Sequence, residues 1–203
     1  MISIVDYGVG NIGAISNMLN HLRVPNQITS SSKELLSSQG LILPGVGSFD
    51  RAMQNLNSKY GVRKAVDIFA KDMRKPLLGI CLGMQMMGNG SEEGASPGLG
   101  WIDTSVIKFP KSLLAKVPNM GWRKIKPIRK DKIMNNLPFG SRFYFSHSYY
   151  MPSDTNCLAT AENGIEFSAV IRFDNIYGAQ FHPEKSHSFG MKFLTNFARI
   201  ANE

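Results

Sequence analysis

Cysteine is scarce in this chain. Two of its 203 residues, Cys81 and Cys157, are too few for a disulfide framework and fit a reducing compartment. No apolar run is long enough to span a bilayer, which argues against a membrane helix. The first residues, Met1-Ile2-Ser3-Ile4-Val5-Asp6, lack the basic lead and small-residue cleavage site of a secretory signal and read as an opening strand. Internal repeats and low-complexity linkers are missing too. A chain of this size suits one α/β domain spanning residues 1–203, expected in the cytoplasm. Acids are outnumbered 15 to 23 by Lys and Arg, a formal charge of +8. All of that excess lies between Lys108 and Lys132, where nine basic residues meet one acid, Asp131. The stretch lacks a nucleic-acid module or stacking aromatics, so it reads as a solvated, strand-rich face. An acidic partner rim is the second reading, and nucleic acid the third.

What is present begins with Gly79-Ile80-Cys81-Leu82-Gly83. The run Pro76–Ile80 reads as a buried strand and Met84-Gln85-Met86-Met87 as a helix, so Cys81 falls on a strand-to-helix turn of nucleophile-elbow type. A helix N-terminus beneath the sulfur favours thiolate, the form that attacks carbonyl carbon. Near the other end, the strand Ile176–Phe181 leads into His182-Pro183-Glu184. There a histidine can move protons while an acid two positions on orients its ring. Cys157 is expected to be a small core residue.

The first half alternates strands and helices. Strands are predicted at Ile2–Asp6, Gln27–Thr29 and Gly40–Leu43. Helices are predicted at Asn11–Leu22, from Ser30-Ser31-Ser32 with Glu34, and around Gly61–Lys71. That alternation implies a doubly wound, mostly parallel sheet with helices on both faces. The second half is strand-rich, with strands predicted at Trp101–Phe109, Gly121–Lys126, Arg142–Tyr150, Leu158–Glu162 and Phe167–Phe173. A final helix starts near Ser188 and carries Phe189, Phe193, Phe197 and Ile200 on one stripe. Asn89–Gly98 is the most flexible-looking stretch. Gly8-Val9-Gly10-Asn11-Ile12-Gly13 matches a dinucleotide fingerprint, with Glu34 about 20 residues on. A tight β-to-α turn whose glycines permit close helix packing is the preferred reading, and the fingerprint is read as a decoy.

Several further segments, taken in order, resemble one family. They are Asp6-Tyr7-Gly8-Val9-Gly10-Asn11, Pro44-Gly45-Val46-Gly47-Ser48-Phe49, Ser91-Glu92-Glu93-Gly94, Val117-Pro118-Asn119-Met120-Gly121-Trp122, His147-Ser148-Tyr149 and His182-Pro183-Glu184-Lys185-Ser186. With the elbow around Cys81, they resemble the class I glutamine amidotransferases. Within that family they are similar to the glutaminase subunits of imidazole glycerol phosphate synthases. The resemblance implies a Cys81–His182–Glu184 triad that hydrolyses L-glutamine to glutamate and ammonia. It implies an oxyanion hole from Val46, Gly47 and Leu82, with the Val46–Gly47 peptide reorienting in use. It implies substrate contacts from Gly83, Gln85, Glu93, Ser148 and Tyr149, with Glu93 facing the α-ammonium and His147 structural. Asn119, Met120, Trp122 and Lys185 would face a (β/α)8-barrel cyclase subunit that takes the ammonia into histidine biosynthesis. No metal or organic cofactor is implied.

Three positions and one run depart from the family's usual pattern. Asn119 stands where histidine is usual, Arg123 where asparagine is, and His187 where glutamine is, and Met86–Gly90 differs from the common run. They keep open a paralogous glutaminase feeding another synthase, for example one making amidino groups on sugars. A non-enzymatic binding module is the more distant alternative, disfavoured by the intact Cys81, His182 and Glu184. His21 and His187 carry no signal of their own.

Overall fold

The computed structural model describes residues 1–110 and 116–203. The strands are β1 (Ile2–Val5), β2 (Asn26–Thr29), β3 (Gly40–Leu43), β4 (Leu77–Ile80), β5 (Ile107–Lys108), β6 (Asn119–Lys124), β7 (Lys126–Pro127), β8 (Arg142–His147), β9 (Tyr149–Tyr150), β10 (Cys157–Glu162), β11 (Glu166–Phe173) and β12 (Ile176–Ala179). The helices are α1 (Ile12–His21), α2 (Ser32–Ser37), α3 (Phe49–Ser58), α4 (Val62–Asp67), α5 (Leu82–Gln85) and α6 (His187–Ala201). An eight-stranded sheet runs in the order β2-β1-β3-β4-β12-β11-β10-β7. Its first five strands are mutually parallel, and the other three add antiparallel.

The parallel strands are buried on both faces because successive residues serve different layers. Ile4, Ile42 and Leu78 pack with Leu19, Phe193 and Phe197 of α1 and α6. Val5, Leu41, Leu43 and Leu77 pack instead with Leu35, Leu56 and Val62 of α2, α3 and α4. This is the doubly wound, mostly parallel sheet anticipated above. Among the described residues, no helix is long and apolar enough to cross a membrane.

Three expectations need correction. Helix α3 was not foreseen, although Phe49, Ala52, Met53 and Leu56 follow helical spacing and form its buried stripe. The predicted strand Trp101–Phe109 shrinks to Ile107–Lys108. Its early amides are committed elsewhere: the N–H groups of Leu99, Gly100, Trp101 and Ile102 donate to the carbonyls of Met86, Gly88 and Met87 beyond α5. The predicted helix Gly61–Lys71 divides into α4 and a π-helical segment, Ile68–Asp72. The dinucleotide-like glycines serve close packing instead. Gly10 has φ +111, and a Cβ there would lie 2.8 Å from Pro44 Cβ.

Candidate active site

Parallel pairing of β4 with β12 builds the centre of the site. The register sets Ile80 opposite Ala179, so both chains leave the sheet at the same edge. Cys81 follows β4 directly, and its N–H donates to Ala179 O at 2.7 Å. Its backbone is left-handed, φ 54 and ψ −109, which turns the chain into α5 within one residue. His182 follows β12 on the neighbouring strand, held by donation from its N–H to Tyr144 O at 2.9 Å. The Ser186 hydroxyl donates to His182 O at 2.6 Å. The His182 Nδ1 lies 2.8 Å from Glu184 Oε1, and the two side chains are 4% and 1% exposed.

Burial disfavours the imidazolium of His182. Its hydrogen bonds to Cys81 and Glu184, with the charges of both, more than offset burial and push its pKa up to about 10. At neutral pH the ring therefore holds a proton between a sulfur and a carboxylate. The sulfur has a further neighbour that the sequence reading missed: Gln180 Nε2, 3.8 Å from Cys81 Sγ. A polar residue flanked by Ala179 and Phe181 in an apolar strand is the signal that could have found it.

The loop after β3 lies beside the nucleophile for the same topological reason, since β3 pairs with β4. Gly83 allows the close approach: a Cβ there would sit 1.9 Å from Leu43 O. The buried Tyr7 hydroxyl donates to Pro44 O and pins the start of this loop. Burial, followed by the negative charge of Cys81, raises the Tyr7 pKa and keeps the phenol protonated as a donor. Val46, Gly47, Leu82 and Cys81 share the wall of a cavity of about 640 Å³.

The rest of that wall includes Gln85, Glu93, Ser148, Tyr149, His147 and His182. Gln85 is buried, and its Nε2 donates to Tyr149 O at 2.8 Å and Gln180 Oε1 at 3.0 Å. Its Nε2 thus holds two neighbours while the residue keeps its place in the cavity wall. Glu93 reaches the wall from a loop clasped to α3. Its Oε2 accepts from Phe49 N at 3.0 Å, while Asp50 accepts from Ser96 N at 2.8 Å and Ala95 N at 3.1 Å. Partial burial, opposed by the Phe49 amide and aided by Asp50, raises the Glu93 pKa. Asn89–Gly98 is consequently anchored rather than loose. His147 is buried among Phe109, Phe145 and Phe167.

Met120 and Trp122 are 59% and 42% exposed, and Lys185 is exposed with its Nζ 5.7 Å from the Tyr144 ring centre. Asn119 does not join them. It is fully buried, because it lies directly opposite His147 in the β6–β8 pair and faces inward. His187, in left-handed backbone, stacks on Trp122 with ring centres 5.4 Å apart. Within the basic stretch, Arg129 donates twice to Cys157 O, at 2.8 and 2.6 Å. Arg123 is half-buried, so not all of that charge is solvated; Lys111 lies outside the described residues. Cys157 is a fully buried core residue.

The model of the glutamine amidotransferase class-I family matches residues 3–201. Relatives named imidazole glycerol phosphate synthase subunit HisH 2 occur in Methanococcus maripaludis and Pseudomonas aeruginosa. The former is 47% identical over 99% of this chain and 100% of its own length, the latter 45% over 98% and 100%. A relative named imidazole glycerol phosphate synthase subunit HisH, from Leptospira interrogans, is 45% identical over 98% of this chain and 100% of its own. A putative GMP synthase subunit from Thermoplasma acidophilum superposes with a TM-score of 0.74 at 26% identity, covering 99% of this chain and 93% of that one. The Trypanosoma brucei CTPS glutaminase domain, solved with bound acivicin, shares the fold with a TM-score of 0.67 at 16% identity, over 98% of this chain and 93% of that one.

Proposed function

Because the chain belongs to the glutamine amidotransferase class-I family, we propose that it is the glutaminase subunit of an imidazole glycerol phosphate synthase, releasing ammonia from L-glutamine. The observation that carries this reading is the register of β4 against β12, which brings a turn-held cysteine to a histidine paired with a buried carboxylate. All three relatives are named as imidazole glycerol phosphate synthase subunits, HisH or HisH 2, over their full lengths, which favours this reading over a sugar-pathway paralogue.

Cys81 thiolate attacks the carboxamide carbon, and the developing oxyanion is held by amides near Val46, Gly47 and Leu82. His182 delivers its proton to the leaving nitrogen, so ammonia departs and a glutamyl thioester remains. The ring then takes a proton from water as hydroxide adds, and keeps it as glutamate leaves, which restores the thiolate–imidazolium pair. Glu184 keeps the imidazolium oriented throughout. Glu93 takes the substrate's α-ammonium, while Gln85, Ser148 and Tyr149 line its polar end; Gly83 stands behind the wall, packed against Leu43. Ammonia in bulk water is protonated and loses its nucleophilicity, so it passes directly to a (β/α)8-barrel cyclase, the other half of the synthase. Around the cavity mouth, Met120, Trp122 and Lys185 face that cyclase.

The test is glutamate release from L-glutamine by the purified chain, with and without the histidine-pathway cyclase and its ribotide ligand. Slow release that rises strongly in the complex and vanishes in Cys81→Ala is expected. A folded chain that gives no stimulation with a competent cyclase would reject the partner assignment. No release under any condition would reject the glutaminase reading.

A further inference from the structure

Two of the departures from the family pattern, Asn119 and Arg123, are hydrogen-bonded to each other. Arg123 Nε donates to Asn119 Oδ1 at 3.0 Å, and Arg123 Nη2 donates to Asn163 Oδ1 at 3.1 Å. A guanidinium only donates, so the Asn119 atom facing it is the oxygen. The Asn119 amide nitrogen must then face His147, and it lies 2.9 Å from Nε2. An amide N–H2 also only donates, which makes Nε2 the acceptor and leaves the ring proton on Nδ1. That Nδ1–H donates to Tyr149 O at 2.7 Å. The same carbonyl accepts from Gln85 Nε2, which also donates to Gln180, whose own Nε2 reaches the Cys81 sulfur. A charged group half-buried on β6 thus sets which way the Asn119 amide faces, and that amide acts together with the Tyr149 carbonyl to keep the proton of a buried ring on Nδ1.

We propose that Arg123 and Asn119 are positioning residues, which fix His147 as the neutral Nδ1–H tautomer and thereby hold the Ser148–Tyr149 wall against the substrate. Neither touches the reacting atoms. Without Arg123, the Asn119 amide is free to turn over and present its oxygen to His147. The ring proton then moves to Nε2, Nδ1 turns a lone pair on Tyr149 O, and one of the two bonds holding that carbonyl is lost. Burial, opposed by the bond to Tyr149 and reinforced by the nearby positive groups His182 and Arg123, holds the His147 pKa down to about 4. Burial is the largest of these causes and does not depend on Arg123, so a second proton remains disfavoured in the variant. Arg123 shares β6 with the exposed Met120 and Trp122, so this positioning starts at the surface offered to the partner.

The experiment uses the full chain in complex with the histidine-pathway cyclase. Nitrogen-15 spectra of labelled histidine would be read with glutamine kinetics, using His147→Gln to assign the ring among four histidines. The wild-type ring is expected to carry its proton on Nδ1. Arg123→Ala is expected to mix the tautomers and raise KM for glutamine about tenfold, the loss of about one charged hydrogen bond, with kcat within about twofold. Arg123→Lys, which still offers a donor to Asn119, should recover most of both. Asn119→Asp covers the case in which Arg123→Ala does not fold: a carboxylate cannot donate to Nε2, so the ring proton should appear there. An unchanged ring and unchanged KM in Arg123→Ala, or a bare Nε2 in Asn119→Asp, would overturn the proposal. The kinetic arm rests on the glutaminase reading and the spectroscopic arm does not, so a silent wild-type enzyme would sink that reading while the ring still decides this one.

Discussion

Two buried histidines in the wall of one cavity are driven in opposite directions. His182 is pushed up to about 10 and His147 down to about 4. Burial lowers both, so burial is not what separates them. His182 looks onto a carboxylate and a sulfur, both able to carry negative charge. His147 looks onto an amide N–H2, a carbonyl and three phenylalanine rings, none of which balances a cation. One ring is equipped to move protons and the other to stay neutral and hold its place.

The comparison breaks most completely at the sulfur. Cys81→Ala should cut glutamate release by about four orders of magnitude or more, because it removes the sulfur that His182 is paired with. It should also lower the His182 pKa, readable by NMR titration, since one of its two supports is gone. Glu184→Gln removes the other support while keeping the shape. A fall in kcat of about a hundredfold to a thousandfold is expected from steady-state kinetics.

His147 breaks the comparison from its own side through pH. Its pKa is depressed when folded, so the unfolded chain binds the extra proton first. Stability is then fully present above about 6.5 and is lost as pH falls through about 4, by on the order of 3 kcal/mol. Urea titrations across that window should show the loss, with a flatter profile in His147→Gln. Stability linked to the raised pKa of His182 lies in the opposite window, present below 6.5 and lost as pH rises through about 10. Gln180→Leu sharpens the contrast, since Gln180 bonds toward both clusters. Losing its donor at sulfur should lower kcat/KM about tenfold.

Much of this arrangement was legible in the residues. The strand-turn-helix around Cys81 and the strand-turn around His182 carry local signals, and parallel β-α alternation places both turns at one sheet edge. The His147 cluster was not legible, because its members meet only through tertiary pairing. Asn119 finds His147 through β6–β8 register, Arg123 finds Asn163 across 40 residues, and Gln85 finds Gln180 across 95. The motif match put Asn119 on the partner face because it reports that β6 is near the surface. It does not report which residues of an alternating strand turn inward. Trp101–Phe109 misled for a related reason: apolar β-formers there serve as amide donors to the carbonyls after α5.

The left-handed backbone at Cys81 also bears on how such a protein ages under selection. At most positions a Gly is less stable than an Ala, but here the order should reverse, with Cys81→Gly outlasting Cys81→Ala by about 1 kcal/mol in thermal melts. A lineage freed from its chemistry would therefore gain robustness by letting glycine settle at this turn. A cysteine retained there is held against the grain of folding, and its persistence is a mark that the reaction is still in demand.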